Sequence, residues 1–213
     1  MKLVIGNKNY SSWSLRPWLL LHAHALDFEE VNESLAQHGI RERLSQYSDS
    51  AKVPVLLDRG LTIWDSLAIC EYISENYLSG RGWPKSAADR AQARSLVAEM
   101  HSGFAALRSE LPMNCRLTKS AQLSPAVRAE VQRIEQLWNN YVSADQSEQL
   151  RLFGCFGIAD CFFAPVVFRF HSYGVKLSGT AGRYQQSLLA HPSMQLWLTQ
   201  AIGETEHLAH IEV

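Results

Sequence analysis

The sequence predicts an α/β domain over residues 1–80 followed by an all-helical domain over residues 86–213. Two observations carry this reading. Short strand-like runs alternate with helical patterns as far as Leu78, and no convincing strand follows. Between the halves, Ser79-Gly80-Arg81-Gly82-Trp83-Pro84 has the glycines and proline of a linker.

The elements follow in order. Lys2 to Gly6 is a short apolar run suited to a buried strand. Leu15, Trp18, Leu19, Ala23 and Leu26 fall at helical spacing, with Pro17 acceptable only in a first turn. Phe28 to Asn32 predicts a second strand. Val53–Leu57 and Leu61–Trp64 flank Asp58-Arg59-Gly60 as a hairpin, and Asp65–Leu78 is helical again. The order is β-α-β, a variable middle that includes a solvated Arg41-Glu42-Arg43, then β-β-α. Beyond the linker, Ser86 and Asp89 open a helix in the manner of a capping box. That one long helix carries Leu96, Met100, Phe104, Leu107 and Leu111. Ser124-Pro125 opens the next, with Val127, Val131, Ile134, Trp138 and Tyr141 along one face. Ile158–Tyr173 is apolar on nearly every side, as a helix at the centre of a bundle must be. Leu188–Ile202 supplies a last helix, broken near His191-Pro192.

Composition excludes several classes. A formal net charge of -1 gives no bulk attraction to nucleic acid or an anionic membrane. The N-terminus lacks the apolar core of an export signal, and no apolar run is long enough to span a bilayer. A soluble, cytoplasmic protein is expected, with Cys70, Cys115, Cys155 and Cys161 as free thiols. No metal site is expected; His207 and His210 make only a weak pair.

Three local features of the first half carry chemistry. Tyr10-Ser11-Ser12-Trp13-Ser14-Leu15-Arg16-Pro17 places hydroxyls beside the open N–H groups and positive end of a helix, which favours an anion. Taken alone it is better explained by a serine that simply caps the helix. Lys52-Val53-Pro54-Val55-Leu56 has proline where a strand opens; a cis bond there would free the Val53 backbone to pair with an extended peptide, whereas an ordinary trans proline needs no ligand. Trp64-Asp65-Ser66 opens a helix with an acid and a hydroxyl, which together suit an α-amino acid head or a plain N-cap.

In combination, SSWSLRPWLLL, KVPVL, DSLAICEYI and the Phe156-Gly157-Ile158-Ala159-Asp160 capping segment resemble the cytosolic glutathione transferases, serine-type, with a zeta- or theta-like N-terminal motif. The resemblance covers essentially the whole chain. It implies a thioredoxin-like domain plus a helical bundle, with glutathione as co-substrate and no permanently bound cofactor. It departs in two places: Gly157 stands where Ser or Thr is usual, and Trp13 stands where zeta-like relatives carry cysteine, which weighs against the zeta isomerisation.

The resemblance assigns Ser11, or else Ser12, as the hydroxyl that stabilises the glutathione thiolate. Trp13, His38, Lys52, Val53, Pro54, Asp65 and Ser66 would hold glutathione, with Asp65 and Ser66 on its γ-glutamyl head. Tyr10, Trp13, Met100, Phe104 and Leu107 would line the pocket for a small hydrophobic electrophile. The implied protein is a detoxifying transferase and a homodimer, with Tyr72, Tyr77, Arg90, Arg94 and Met100 on the paired surfaces. The alternatives are a glutathione-dependent isomerase of the maleylacetoacetate type and a non-catalytic glutathione-binding stress or interaction protein.

Overall fold

The computed structural model describes residues 1–36, 38–142, 149–209 and 211–212. Its elements are β1 (Lys2–Gly6), α1 (Ser12–Ala23), β2 (Glu29–Glu33), α2 (Ile40–Ser45), β3 (Val55–Asp58), β4 (Leu61–Ile63) and α3 (Ser66–Tyr77). The helical part contains α4 (Ala87–Ser102), α5 (Ala105–Glu110), α6 (Pro125–Tyr141), α7 (Ile158–Ser172), α8 (Gly179–Leu189) and α9 (Pro192–Gly203). His210, one of the paired histidines, lies outside the described residues.

The four strands run in the order β2-β1-β3-β4. β1 pairs parallel with β2, Lys2 opposite Glu29, and antiparallel with β3, Val4 opposite Val55. A parallel neighbour requires a crossover, which α1 provides. Leu3, Val4 and Ile5 are wholly buried because the sheet has cover on both faces at its centre. β2 reads Glu-Glu-Val-Asn-Glu and sits at an edge, where charge discourages further pairing.

α1 is held between the sheet and α7. Ser11 caps it by accepting from the Ser14 N–H at 3.3 Å, so the helix begins before Leu15. Pro17 therefore lies past the first turn, where its missing N–H leaves the Trp13 carbonyl without its intrahelical donor. Arg41-Glu42-Arg43 is helical, in α2; Arg43 donates to the carbonyls of Ser34 and Ala36 at 3.0 and 3.2 Å.

The single long helix expected from Ser86 to Leu111 is two. Gly103 ends α4, and Phe104 takes a left-handed φ of 58°. The new N-terminus is capped from another element: the Glu130 carboxylate of α6 accepts from Ala106 N and Leu107 N at 3.2 and 2.7 Å. The break expected near His191-Pro192 separates α8 from α9.

α7 is buried along almost its whole length. Asp160 accepts from Gly157 N (3.0 Å), Leu152 N (3.1 Å) and Tyr184 Oη (2.9 Å), and burial pushes its carboxyl up to about 6. Gly157 replaces the usual hydroxyl residue for a steric reason. A Cβ there would stand 2.7 Å from the Gly82 carbonyl oxygen, which accepts from the Ile158 N–H.

Candidate active site

A cavity of about 550 Å³ opens between the N-terminal turn of α1, the approach to β3, the start of α3 and the last turn of α4. Trp13, Ser50, Lys52, Val53, Pro54, Trp64, Asp65, Ser66 and His101 line it. Six of these were expected from the sequence: Trp13, Lys52, Val53, Pro54, Asp65 and Ser66. The Val53–Pro54 bond is cis, and the ladder begins only at Val55, so the Val53 backbone lies outside it.

Asp65 caps α3 by accepting from Leu67 N at 2.9 Å. Its other oxygen lies 3.1 Å from His101 Nε2, and His101 Nδ1 lies 3.4 Å from Arg16 Nη1. An arginine can only donate, so Nδ1 accepts and Nε2–H donates to Asp65. A neutral imidazole thus bridges a cation and a carboxylate. Its pKa is lowered, first by burial, against the upward pull of Asp65. Arg16 Nη1 also donates to Ser66 Oγ at 3.3 Å, which leaves the Ser66 hydroxyl proton directed elsewhere.

The two candidate serines are buried, 4% and 7% exposed, and do not line the cavity surface. Ser11 donates its hydroxyl proton to Ser14 Oγ at 2.7 Å, and Ser14 Oγ accepts from Gly6 N at 3.1 Å. Ser12 accepts from Arg169 Nη2 at 3.4 Å; among the described residues no acceptor holds its proton.

Five expected residues lie elsewhere. His38 is exposed in the loop before α2, its carbonyl accepting from Arg43. Met100, Phe104 and Leu107 are buried in the core because α4 and α5 turn those faces inward. Tyr10 is pulled towards the C-terminal segment: its phenol donates to Glu212 (2.5 Å) and accepts from Arg116 (2.7 Å) and Leu208 N (3.2 Å). Trp13, at 37% exposure, is the aromatic that remains from the expected second-substrate wall. The proposed dimer surfaces change likewise. Tyr72 and Tyr77 both donate to Asp58, and Met100 is in the core.

His101, Ser50 and Trp64 were missed. His101 carried no local signal, since it reaches the site only because α4 packs on α7, which in turn packs on α1. Trp64 was in view only as the neighbour of Asp65; its half-exposed ring at the cavity is seen in the structure alone.

Comparison with known proteins agrees with this geometry. Residues 10–76 match the family model described as the glutathione S-transferase N-terminal domain. Over 95% of this chain and 98% of the other, the fold superposes with a TM-score of 0.70, at 24% identity, on a glutathione transferase homolog from Burkholderia crystallised with bound glutathione. Residues 10–76 thus match the N-terminal domain of that family, and the chain as a whole shares the fold of that structure. Among curated proteins, a stringent starvation protein A homolog from Haemophilus ducreyi is 21% identical over 80% of this chain and 77% of its own length. A probable maleylacetoacetate isomerase from Caenorhabditis elegans is 32% identical over 44% of each chain. No helix among the described residues is long and apolar enough to cross a membrane.

Proposed function

We propose that this protein is a glutathione transferase of the serine type, which binds glutathione in the cavity and presents its thiolate to a small hydrophobic electrophile. The observation that carries the reading is one cavity bordered by an acid and hydroxyl at a helix start, the Val53 backbone ahead of the β3 ladder, and the N-terminal turn of α1. Asp65 takes the ligand's ammonium group and Ser66 its α-carboxylate. Val53 pairs with the cysteinyl unit, and Lys52 reaches the glycine carboxylate. The sulfur then lies near Ser11 and Ser12.

The chemical task is ionisation. A free thiol with a pKa of about 8.5 is roughly 3% ionised at pH 7. Lowering that pKa by about two units makes the thiolate dominant and needs roughly 2.7 kcal/mol of selective stabilisation. The proton leaves to water, and the sulfur lone pair forms the new bond to the electrophilic carbon. The pair of the bond broken there departs with the leaving group or, at an activated double bond, moves to the far atom, which takes a proton from water. Trp13, Trp64 and His101 supply the wall against which that electrophile packs. The assembly is a homodimer in the cytoplasm; half-exposed Leu61 and Trp64 lie along the open β4 edge that such pairing would cover. Sedimentation equilibrium at micromolar concentration checks the dimer.

A second reading has its own support. The Ser11 proton is already held by Ser14, and the stringent starvation protein A homolog matches far more of this chain than the isomerase does. That reading is a glutathione-binding interaction protein without turnover. Isomerisation is weaker because Trp13 occupies the position of the zeta-type cysteine. Calorimetric titration with glutathione, followed by assays on a panel of electrophiles and on a cis-trans isomerisation substrate, separates the three. Binding with turnover of an electrophile supports the transferase; binding without turnover supports the second reading.

A further inference from the structure

A buried cation without a carboxylate is costly, and two arginines, Arg16 and Arg169, are in that condition behind the first turn of α1, with the half-buried Arg108 beside them. Ser12 and Arg16 share a face of α1, and Phe162 and Arg169 share a face of α7. Where these faces meet, Arg169 Nη2 donates to Ser12 Oγ at 3.4 Å. The Arg16 guanidinium lies 4.3 Å from the ring centres of both Trp13 and Phe162. Arg108 of α5 lies 4.9 Å from the Trp13 ring.

Arg16 and Arg169 are 1% and 6% exposed. Among the described residues, no carboxylate is within ion-pairing distance of any of the three, and Arg16 Nε is buried without a partner. Arg169 Nε and Nη1 donate to the Leu111 and Pro165 carbonyls at 2.9 and 3.3 Å. Such bonds satisfy N–H groups but leave the positive charge in place. Burial, with mutual repulsion, lowers Arg16 to about 9 and Arg169 to about 10, so both stay protonated at neutral pH. The other groups facing the cluster are Asp65, held by His101, Glu130 beside Arg108, and the buried Cys70, Cys115 and Tyr173. The last three are kept neutral by burial.

We propose that this cluster, Arg169 foremost, supplies the positive potential that stabilises a thiolate at the N-terminal turn of α1, making Arg169 a positioning residue that acts on the α/β part from the helical part. The identity of the thiol as glutathione rests on the function proposed above; the potential itself does not. Magnitudes favour charge over the hydroxyl alone. A helix N-terminus, worth up to about 2 kcal/mol in a partly buried setting, lowers a nearby thiol pKa by about 1.5 at most. A neighbouring cation adds about 1 to 3. The Ser11 hydroxyl is meanwhile engaged with Ser14.

The test places a probe thiol where the potential acts. In Ser11→Cys, the thiolate absorbance is titrated against pH, with the parent spectrum subtracted. Adding Arg169→Gln should raise the pKa of the introduced thiol by about 1, a roughly tenfold loss of thiolate below that pKa. Adding Arg169→Lys, which keeps the charge but not the hydrogen bonds, should leave it within a few tenths. A pKa equal in all three proteins overturns the proposal, as does an equal rise in both double variants, which would mark a purely structural role. If Arg169→Gln does not fold by circular dichroism, Arg108→Gln replaces it. A smaller rise supports the cluster and no rise overturns it. The bound glutathione thiol is then titrated in the same Arg169 variants without the Ser11 change. A rise in the Ser11→Cys series, with no glutathione binding to the wild type, would overturn the glutathione reading and leave the potential standing.

Discussion

Two helix N-termini face the same cavity in opposite electrostatic company. That of α1 is buried, capped by a serine, and backed by three arginines. That of α3 is more open, capped by Asp65, and flanked by neutral His101. Both carry the same positive dipole end. The acid at α3 offsets that end and offers a partner to an ammonium group, while the arginines at α1 reinforce theirs and await a negative charge. A ligand with a zwitterionic head and an acidic thiol meets both demands. The N-terminus of α7 is the internal reference: its anion, Asp160, belongs to the chain and is wholly buried, so no ligand is required.

Asp160→Ala strips three buried donors of their acceptor and should destabilise the fold by more than about 3 kcal/mol, read by urea denaturation. If α7 tolerates it, the reference fails. Asp65→Ala should raise the KM for glutathione roughly ten- to a hundredfold with little change in kcat, because it removes a charged contact made equally before and during reaction. Wild-type KM would show that the acid-capped terminus does not hold the ligand head.

The two serines sharpen the α1 side. Ser11→Ala should cost about 1 kcal/mol of stability through the lost cap. Ser12→Ala should cost about 1–3 kcal/mol by leaving the buried Arg169 Nη2 without its acceptor, and should raise the pKa of the bound thiol, since the Ser12 proton is the one without an internal acceptor. The reverse pattern in titrations of bound glutathione returns the role to Ser11.

The smallest effect is a pH dependence. His101 has a folded pKa below its unfolded value, so the unfolded chain binds the proton more readily. The stability it contributes is present above about pH 6.5 and declines as pH falls below that value. His101→Gln should flatten this part of the pH–stability curve. A retained slope would place the acid sensitivity elsewhere.

Several parts of this arrangement were legible in the chain alone because their causes are local. Ser86 capping onto Asp89 N, Ser124 ahead of Pro125, and the apolar run of β1 each act within a few residues. The same holds for Lys52–Pro54 and Asp65-Ser66, whose residue types are set by the turn and cap they form. Tertiary structure alone decided the rest. α5 begins where it does because Glu130, far along the chain, caps it after the left-handed turn at Phe104. Tyr10 leaves the cavity because Arg116 and Glu212 hold its phenol. Arg169 reaches Ser12 only through the packing of α7 on α1, and His101 joins the cavity only because α4 packs on that same α7. Backbone capping and strand patterning follow from short-range sterics and hydrogen bonds, whereas the charge surrounding a site is summed over side chains that only folding brings together.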